Sequence, residues 1–201
     1  TILRTASFIL AAAAEQLFPG NDLRMEFSYG RGVHCRLRGR RDLAAADVAA
    51  LEQRMRELVA ADLTIIPHVY GLRTLIKMAR ERGIPAETNM VQYLRRDSLK
   101  LYRIEGVQHL FYGRQLPSTG FSRAFRLVPE LPGFILQVGP PGNPDKLLEP
   151  VRQPKLLATL REQADWLEII GLQDIGHLNR YVVQGRTPEL IQLSEARHAQ
   201  V

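Results

Sequence analysis

The stretch RMEFSYGRGVHCRLR, from Arg24 to Arg38, decides the fold class. Met25, Phe27 and Tyr29 alternate with Arg24, Glu26 and Ser28, and Val33, Cys35 and Leu37 alternate with His34, Arg36 and Arg38. Gly30-Arg31-Gly32 sits between the two runs. Two period-2 segments joined by a short glycine turn predict a β-hairpin with one apolar face. The opposite face of its second strand carries His34, Arg36, Arg38 and Arg40.

Outward from this hairpin, the pattern becomes helical on both sides. Leu3 to Phe18 is apolar on most turns and contains Ala11 to Ala14 in succession, which predicts a helix ended by Pro19-Gly20-Asn21. After the hairpin, Asp42 is placed to cap a helix over roughly Ala44 to Ala61, with Val48, Leu51, Met55, Leu58 and Val59 on one stripe. A short strand is expected within Leu63 to Tyr70, bent at Pro67, then helices over Leu72 to Arg82 and Glu87 to Arg95. Leu99 to Ile104 reads as an interior strand, apolar on both sides. From Gly106 to Pro150 glycine and proline are dense, with strand candidates at Ser122 to Val128 and Phe134 to Val138. Helices return from Pro154, through Asp174 to Val183 and Pro188 to His198. The sum is an α+β fold with an antiparallel sheet packed with helices and a C-terminal helical extension; a doubly wound parallel sheet is the alternative.

Composition narrows the chemistry. In 201 residues, 45 % are hydrophobic and 24 % charged, as in ordinary globular proteins. Cys35 is the only cysteine, which excludes an intramolecular disulfide or a multi-thiolate metal site, and its alternation with Val33 and Leu37 predicts a buried, inert thiol. With no membrane-length apolar run and no signal-type N-terminus, the cytoplasm is the expected compartment. The net charge of +6 permits an acidic partner such as RNA or a nucleotide. No phosphate loop, dinucleotide fingerprint or H-E-x-x-H motif is present, and the five histidines, His34, His68, His109, His177 and His198, lack ligand spacing.

Two segments carry a resemblance. Arg4-Thr-Ala-Ser-Phe8-Ile-Leu10 opens the alanine-rich helix, and Leu110-Phe-Tyr-Gly-Arg-Gln-Leu-Pro-Ser-Thr-Gly120 precedes Ala124-Phe125-Arg126-Leu127. The layout resembles the second additional, editing-type domain of threonyl-tRNA synthetases, where two histidines on the helix, then a cysteine and a histidine ahead of Pro-x-Thr-Gly, form one site. Those four positions correspond here to Arg4, Phe8, Phe111 and Gln115, none a good zinc ligand or a base near neutral pH. The resemblance therefore implies a degenerate editing site with no metal.

A second resemblance covers nearly the whole chain. Phe111-Tyr-Gly113, Pro117-Ser-Thr-Gly120, Pro129 to Phe134, Gln153-Pro-Lys-Leu156, Trp166 to Gly171, Asp174 to Asn179 and Ser194 to His198 follow the order found ahead of the kinase domain in bacterial uridine-kinase-like proteins. This implies a non-catalytic accessory or regulatory region of an ATP-dependent nucleoside kinase. Residues 1–150 would be the degenerate editing-like domain and 151–201 a helical extension. The kinase domain, with its ATP and Mg, would lie elsewhere in the parent protein, as would a ubiquitin-like TGS domain; no cofactor is expected in this chain. The alternative is a tRNA- or RNA-binding or aminoacyl-tRNA deacylase-like module, the latter using Lys100 or His109 with a water.

Three local readings stay open. Ser118-Thr119-Gly120 either presents a hydroxyl and N–H groups to a phosphate or carboxylate, joined through the family pattern by Tyr112, Arg114 and Lys155, or simply locks two strands, with Gly120 supplying an unusual backbone angle. His34, Arg36, Arg38 and Arg40 either touch RNA or form a solvated edge. Arg4 either serves a small anion near Gln115 and Thr119, or pairs with an acid such as Glu105, or points to solvent.

Overall fold

A computed structural model describes residues 1–38, 43–82, 90–109, 113–172 and 174–199. The elements run α1 (Ile2–Leu17), β1 (Asp22–Tyr29), β2 (Gly32–Arg38), α2 (Ala45–Ala60), β3 (Ile66–Gly71), α3 (Leu72–Arg82), β4 (Ser98–Ile104), β5 (Val107–His109), a 3-10 turn at Thr119–Phe121, β6 (Phe125–Glu130), β7 (Gly133–Val138), α4 (Pro154–Ile169), α5 (Ile175–Val183) and α6 (Thr187–His198). Four strands form an antiparallel sheet in the order β1-β2-β7-β6, so the fold is α+β and the parallel alternative falls. The Asp42 cap and most of the expected helix at Glu87 to Arg95 lie outside the described residues; residues 90–92 are helical. The first turn of α2 is closed from inside, where Asp47 accepts a hydrogen bond from the Ala44 N–H at 2.8 Å.

The chain divides into two compact units: Thr1–Val69 with Lys100–Leu160, and Tyr70–Leu99 with Arg161–Val201. The first holds the main core. Its α1 is buried continuously from Thr5 to Ala14, because the small side chains of Ala11 to Ala14 let other elements close on every side. Val48, Leu51, Met55 and Leu58 of α2 pack with α1 and with Cys35, Phe125, Phe134 and Leu136 of the sheet. The i, i+4 pair of Glu52 and Arg56 does more than solvate the helix. Glu52 accepts from the Leu127 N–H at 2.6 Å, and Arg56 donates to the Phe125 carbonyl at 3.3 Å, so both cover the edge strand β6.

The hairpin forms as expected but not with one apolar face. Its register slips between Met25 and Phe27, a β-bulge at Glu26. One extra residue turns every later side chain to the other side. Leu23 and Met25 pair with Leu37 and Cys35, whereas Phe27 pairs with His34 and stacks on its ring at 4.8 Å. Phe27 and Tyr29 thus join Ile135, Val128 and Leu157 in a second cluster. The residues from Gly139 to Gln153 run across this side: Gln137 donates to the Leu148 carbonyl at 2.9 Å, Arg31 to that of Glu149 at 3.2 Å, and the Gln153 N–H to Tyr29 Oη at 2.7 Å.

Within the second unit, Asp174 caps α5 by accepting from the His177 N–H at 3.0 Å. Arg197 of α6 pairs with Glu162 at 3.2 Å and lies 5.1 Å from the Trp166 ring centroid. Among the described residues no helix is long and apolar enough to cross a membrane.

The bulge generates a pH prediction. Burial would push the Glu26 carboxyl up, but the His34 hydrogen bond and the charges of His34, Arg36 and Arg38 together hold it below its ordinary value of 4.5. A carboxyl lowered by folding stabilises fully above its unfolded pKa and loses that contribution as pH falls through the folded value. Glu26→Gln should therefore melt below wild type at neutral pH, and the gap should close on acidification below about pH 4. Thermal melts across that range check it; a gap independent of pH would show that the charge contributes nothing.

Candidate functional site

The first turn of α1, the β4–β5 hairpin and the segment from Gly113 to Gly120 meet where the degenerate editing site is expected. Thr5 organises the junction. Its buried hydroxyl donates to Gln115 Oε1 at 2.9 Å and accepts from the Leu116 N–H at 3.0 Å. Gln115 is thereby used as a strap between helix and loop, while its Nε2 is buried with no acceptor. Phe8, one turn further along α1, is fully buried against Tyr102 at 6.4 Å and edge-on to His109 at 6.3 Å between ring centroids. Tyr102 donates to the Gly113 carbonyl at 2.8 Å, and His109 Nε2 lies 2.9 Å from Glu15. Hydrocarbon therefore occupies the second of the four positions.

Arg4 is exposed and its guanidinium lies against Gly113, where a Cβ would fall 2.7 Å from Nη1. Gly113 has φ +85°, which a side chain would also disfavour. The expected pairing of Arg4 with Glu105 is absent: Glu105 is held by Arg54 at 2.8 Å and by Gln16 at 3.1 Å. Phe111 and Tyr112 lie outside the described residues.

The Ser118-Thr119-Gly120 turn is engaged with its own chain. Thr119 is fully buried; its hydroxyl donates to the Leu58 carbonyl at 2.6 Å and accepts from the Leu63 N–H at 2.9 Å, and its own N–H donates to the Leu63 carbonyl at 2.9 Å. Asp62 Oδ1 accepts from the Ser118 hydroxyl and, at 3.1 Å, from the Gly120 N–H. The donors suited to an anion thus face a carboxylate of the same chain. Gly120 is required for space rather than for its backbone angle, since a Cβ there would meet Asp62 Oδ1 at 2.2 Å. Asp62 itself, at φ +46°, has one local signal in the sequence, its place after an alanine-ended helix.

The remaining candidates are dispersed. Arg114 is exposed beside Gly113. Lys155 is exposed in the first turn of α4, whose Leu157 packs with Tyr29 and Ile135 rather than with α1. His34 is 1 % exposed, beneath Phe27 and 3.0 Å from Glu26, so the expected basic face loses its histidine to the interior. The bulge that rotates Phe27 over it is the physical reason. Arg36 and Arg38 are half-buried, Arg38 lying 3.8 Å from Glu26; Arg40 lies outside the described residues. Cys35 is buried, and burial pushes its thiol up to about 12, which removes it as a nucleophile. Among the described residues no group of three or more His, Cys, Asp or Glu side chains could hold a metal ion.

The chain is similar to threonine–tRNA ligases of Xylella fastidiosa (24 % identical over 128 residues), Xanthomonas euvesicatoria (26 % over 128) and Marinobacter nauticus (27 % over 127). Each match covers 63 % of this chain and 20 % of the ligase, so the chain spans about a fifth of the length of these relatives. No family model matches. The α+β architecture and these similarities together support a threonyl-tRNA-synthetase-like domain in this chain.

Thr119→Val keeps the shape of the side chain and removes the hydroxyl. It leaves the Leu63 N–H and the Leu58 carbonyl without that partner, and should cost roughly 2–3 kcal/mol. Chemical denaturation measures this; a loss below about 0.5 kcal/mol would mean that the turn is not held through Thr119.

Proposed function

We propose that this chain is a non-catalytic, tRNA-related binding module built on an editing-type synthetase fold. The observation that carries this reading is the state of the editing positions. Phe8 is buried in the core, Gln115 straps α1 to the loop, and Arg4 presents a fixed cation. None of the three can ligate zinc well or act as a base near neutral pH. The resemblance to threonine–tRNA ligases and the net charge of +6 favour an RNA partner. A deacylase acting through His109 is disfavoured, because its ring packs edge-on against Phe8 and its Nε2 is buried, closed to a water or substrate.

A second, finer reading is an accessory region of a uridine-kinase-like protein. Its support is the ordered series of motifs from Gln153 to His198, which coincides with the punctuation of α4 to α6: Pro154 opens α4, Gly171 follows it at φ +71°, and Asp174 caps α5. In the parent gene, a G-x-x-x-x-G-K-[ST] motif within about 40 residues of Val201 would support it.

The main reading predicts binding of unmodified tRNA that weakens steeply with salt, together with no release of the amino acid from mischarged tRNA and no stoichiometric zinc. Fluorescence anisotropy at several salt concentrations, a deacylation assay and elemental analysis test it. Absence of tRNA binding at low salt, or turnover of mischarged tRNA, would overturn it.

A further inference from the structure

We infer that Arg73, Lys77 and Arg80 of α3, extended by Arg96, form a surface that holds the phosphate backbone of an RNA chain; that the polyanion is RNA rests on the function proposed above. The three α3 residues stand at i, i+4 and i+7, so they share one helix face about 10 Å long. All three are exposed, while Leu75 and Ala79 on the opposite face are buried. The Leu72 N–H donates to the Asp97 carbonyl at 2.9 Å, which sets the backbone of Arg96, also exposed, beside the start of α3. All four cations lie in the second compact unit.

Helix stability does not account for this stripe. Arg73 stands in the first turn, where the helix dipole disfavours a cation, and that turn holds no acidic residue. Arg73 with Lys77, and Lys77 with Arg80, are like-charge neighbours, which weaken a helix. Glu81 lies 3.8 Å from Lys77, and both are exposed, so that pair offsets little. Among the described residues Arg73, Arg80 and Arg96 have no acidic partner, and the exposed Asp97 pairs with none of them, whereas Arg54, Arg56, Arg186 and Arg197 each pair with a glutamate. A run of phosphates relieves the repulsion, and the counterions it sheds drive binding. Guanidinium forks suit it, since each can meet two phosphate oxygens. A protein partner fits less well: the described residues of Tyr70–Leu99 expose no large apolar side chain to anchor one. A lipid surface fits less well too, because the apolar face of α3 is turned inward.

The test is fluorescence anisotropy of a short labelled single-stranded RNA and of a tRNA transcript across a salt series. Wild type is compared with the double variant Arg73→Gln/Arg80→Gln, with Arg96→Gln, and with Lys146→Gln/Arg152→Gln, which removes the same charge as the first double from exposed positions elsewhere. All the replaced side chains are exposed, and melting curves verify that each variant is folded. The stripe double should weaken single-stranded RNA by roughly 10- to 30-fold at moderate salt and reduce the slope of log K against log salt by about 1.4, Arg96→Gln by about half that slope. The control double should change affinity by less than about 3-fold. Equal binding of RNA by wild type and the stripe double, or an equal loss in the control double, overturns this surface and leaves the tRNA reading standing. No RNA or tRNA bound at low salt overturns the surface together with the function it rests on. Phosphatidylserine vesicles bound in place of RNA, and lost with the stripe double, overturn the assignment to RNA.

Discussion

The bulge at Glu26 is the constraint on which the four-stranded sheet depends. Without the extra residue, Met25, Phe27 and Tyr29 would all share the side of Cys35 and Leu37, and the other side of the hairpin would be polar. With it, the chain directs Leu23 toward the α1–α2 core and Phe27 and Tyr29 away from it. The sheet then has two apolar sides, and the second must be covered. The residues from Gly139 to Gln153 and the start of α4 do this, fastened at Tyr29, Arg31 and Gln137. The buried His34–Glu26 pair follows from the same slip, since Phe27 now stacks over the imidazole.

Two buried threonines fix the loop that carries the candidate residues. Thr5 joins the start of α1 to Gln115 and Leu116, and Thr119 joins Leu58 and Leu63 to the turn. A hydroxyl that both donates and accepts can bridge two backbone segments whose polar groups would otherwise be orphaned on burial. Both threonines spend that capacity internally. The donors of the Ser-Thr-Gly turn likewise face a carboxylate of the same chain, Asp62.

The positions where the resemblance places editing residues carry other side chains in an ordered frame. Phe8 sits where the resemblance places a histidine and adds apolar packing with Tyr102 and His109. A buried imidazole there would need polar partners, whereas a phenyl ring needs only contact. Arg4 stands at the other helical position and carries a charge that cannot be neutralised near physiological pH.

The sequence by itself determined the elements that depend on local periodicity and punctuation: α1 from its alanines, the hairpin from its alternation, α3 from Leu72 to Arg82, α4 from Pro154, and α5 from its Asp174 cap. It also carries which side chains stand at Arg4, Phe8 and Gln115, none of them a good zinc ligand or a base near neutral pH. Only the tertiary structure decided the face of each hairpin residue after Glu26, since a single inserted residue inverts the pattern without altering its period. Asp62 as the carboxylate that occupies the Ser118–Gly120 turn, and Glu52 and Arg56 as the cover of β6, likewise became legible only in three dimensions. Their partners lie 56 to 75 residues away in sequence, where neither propensity nor spacing carries information about who meets whom.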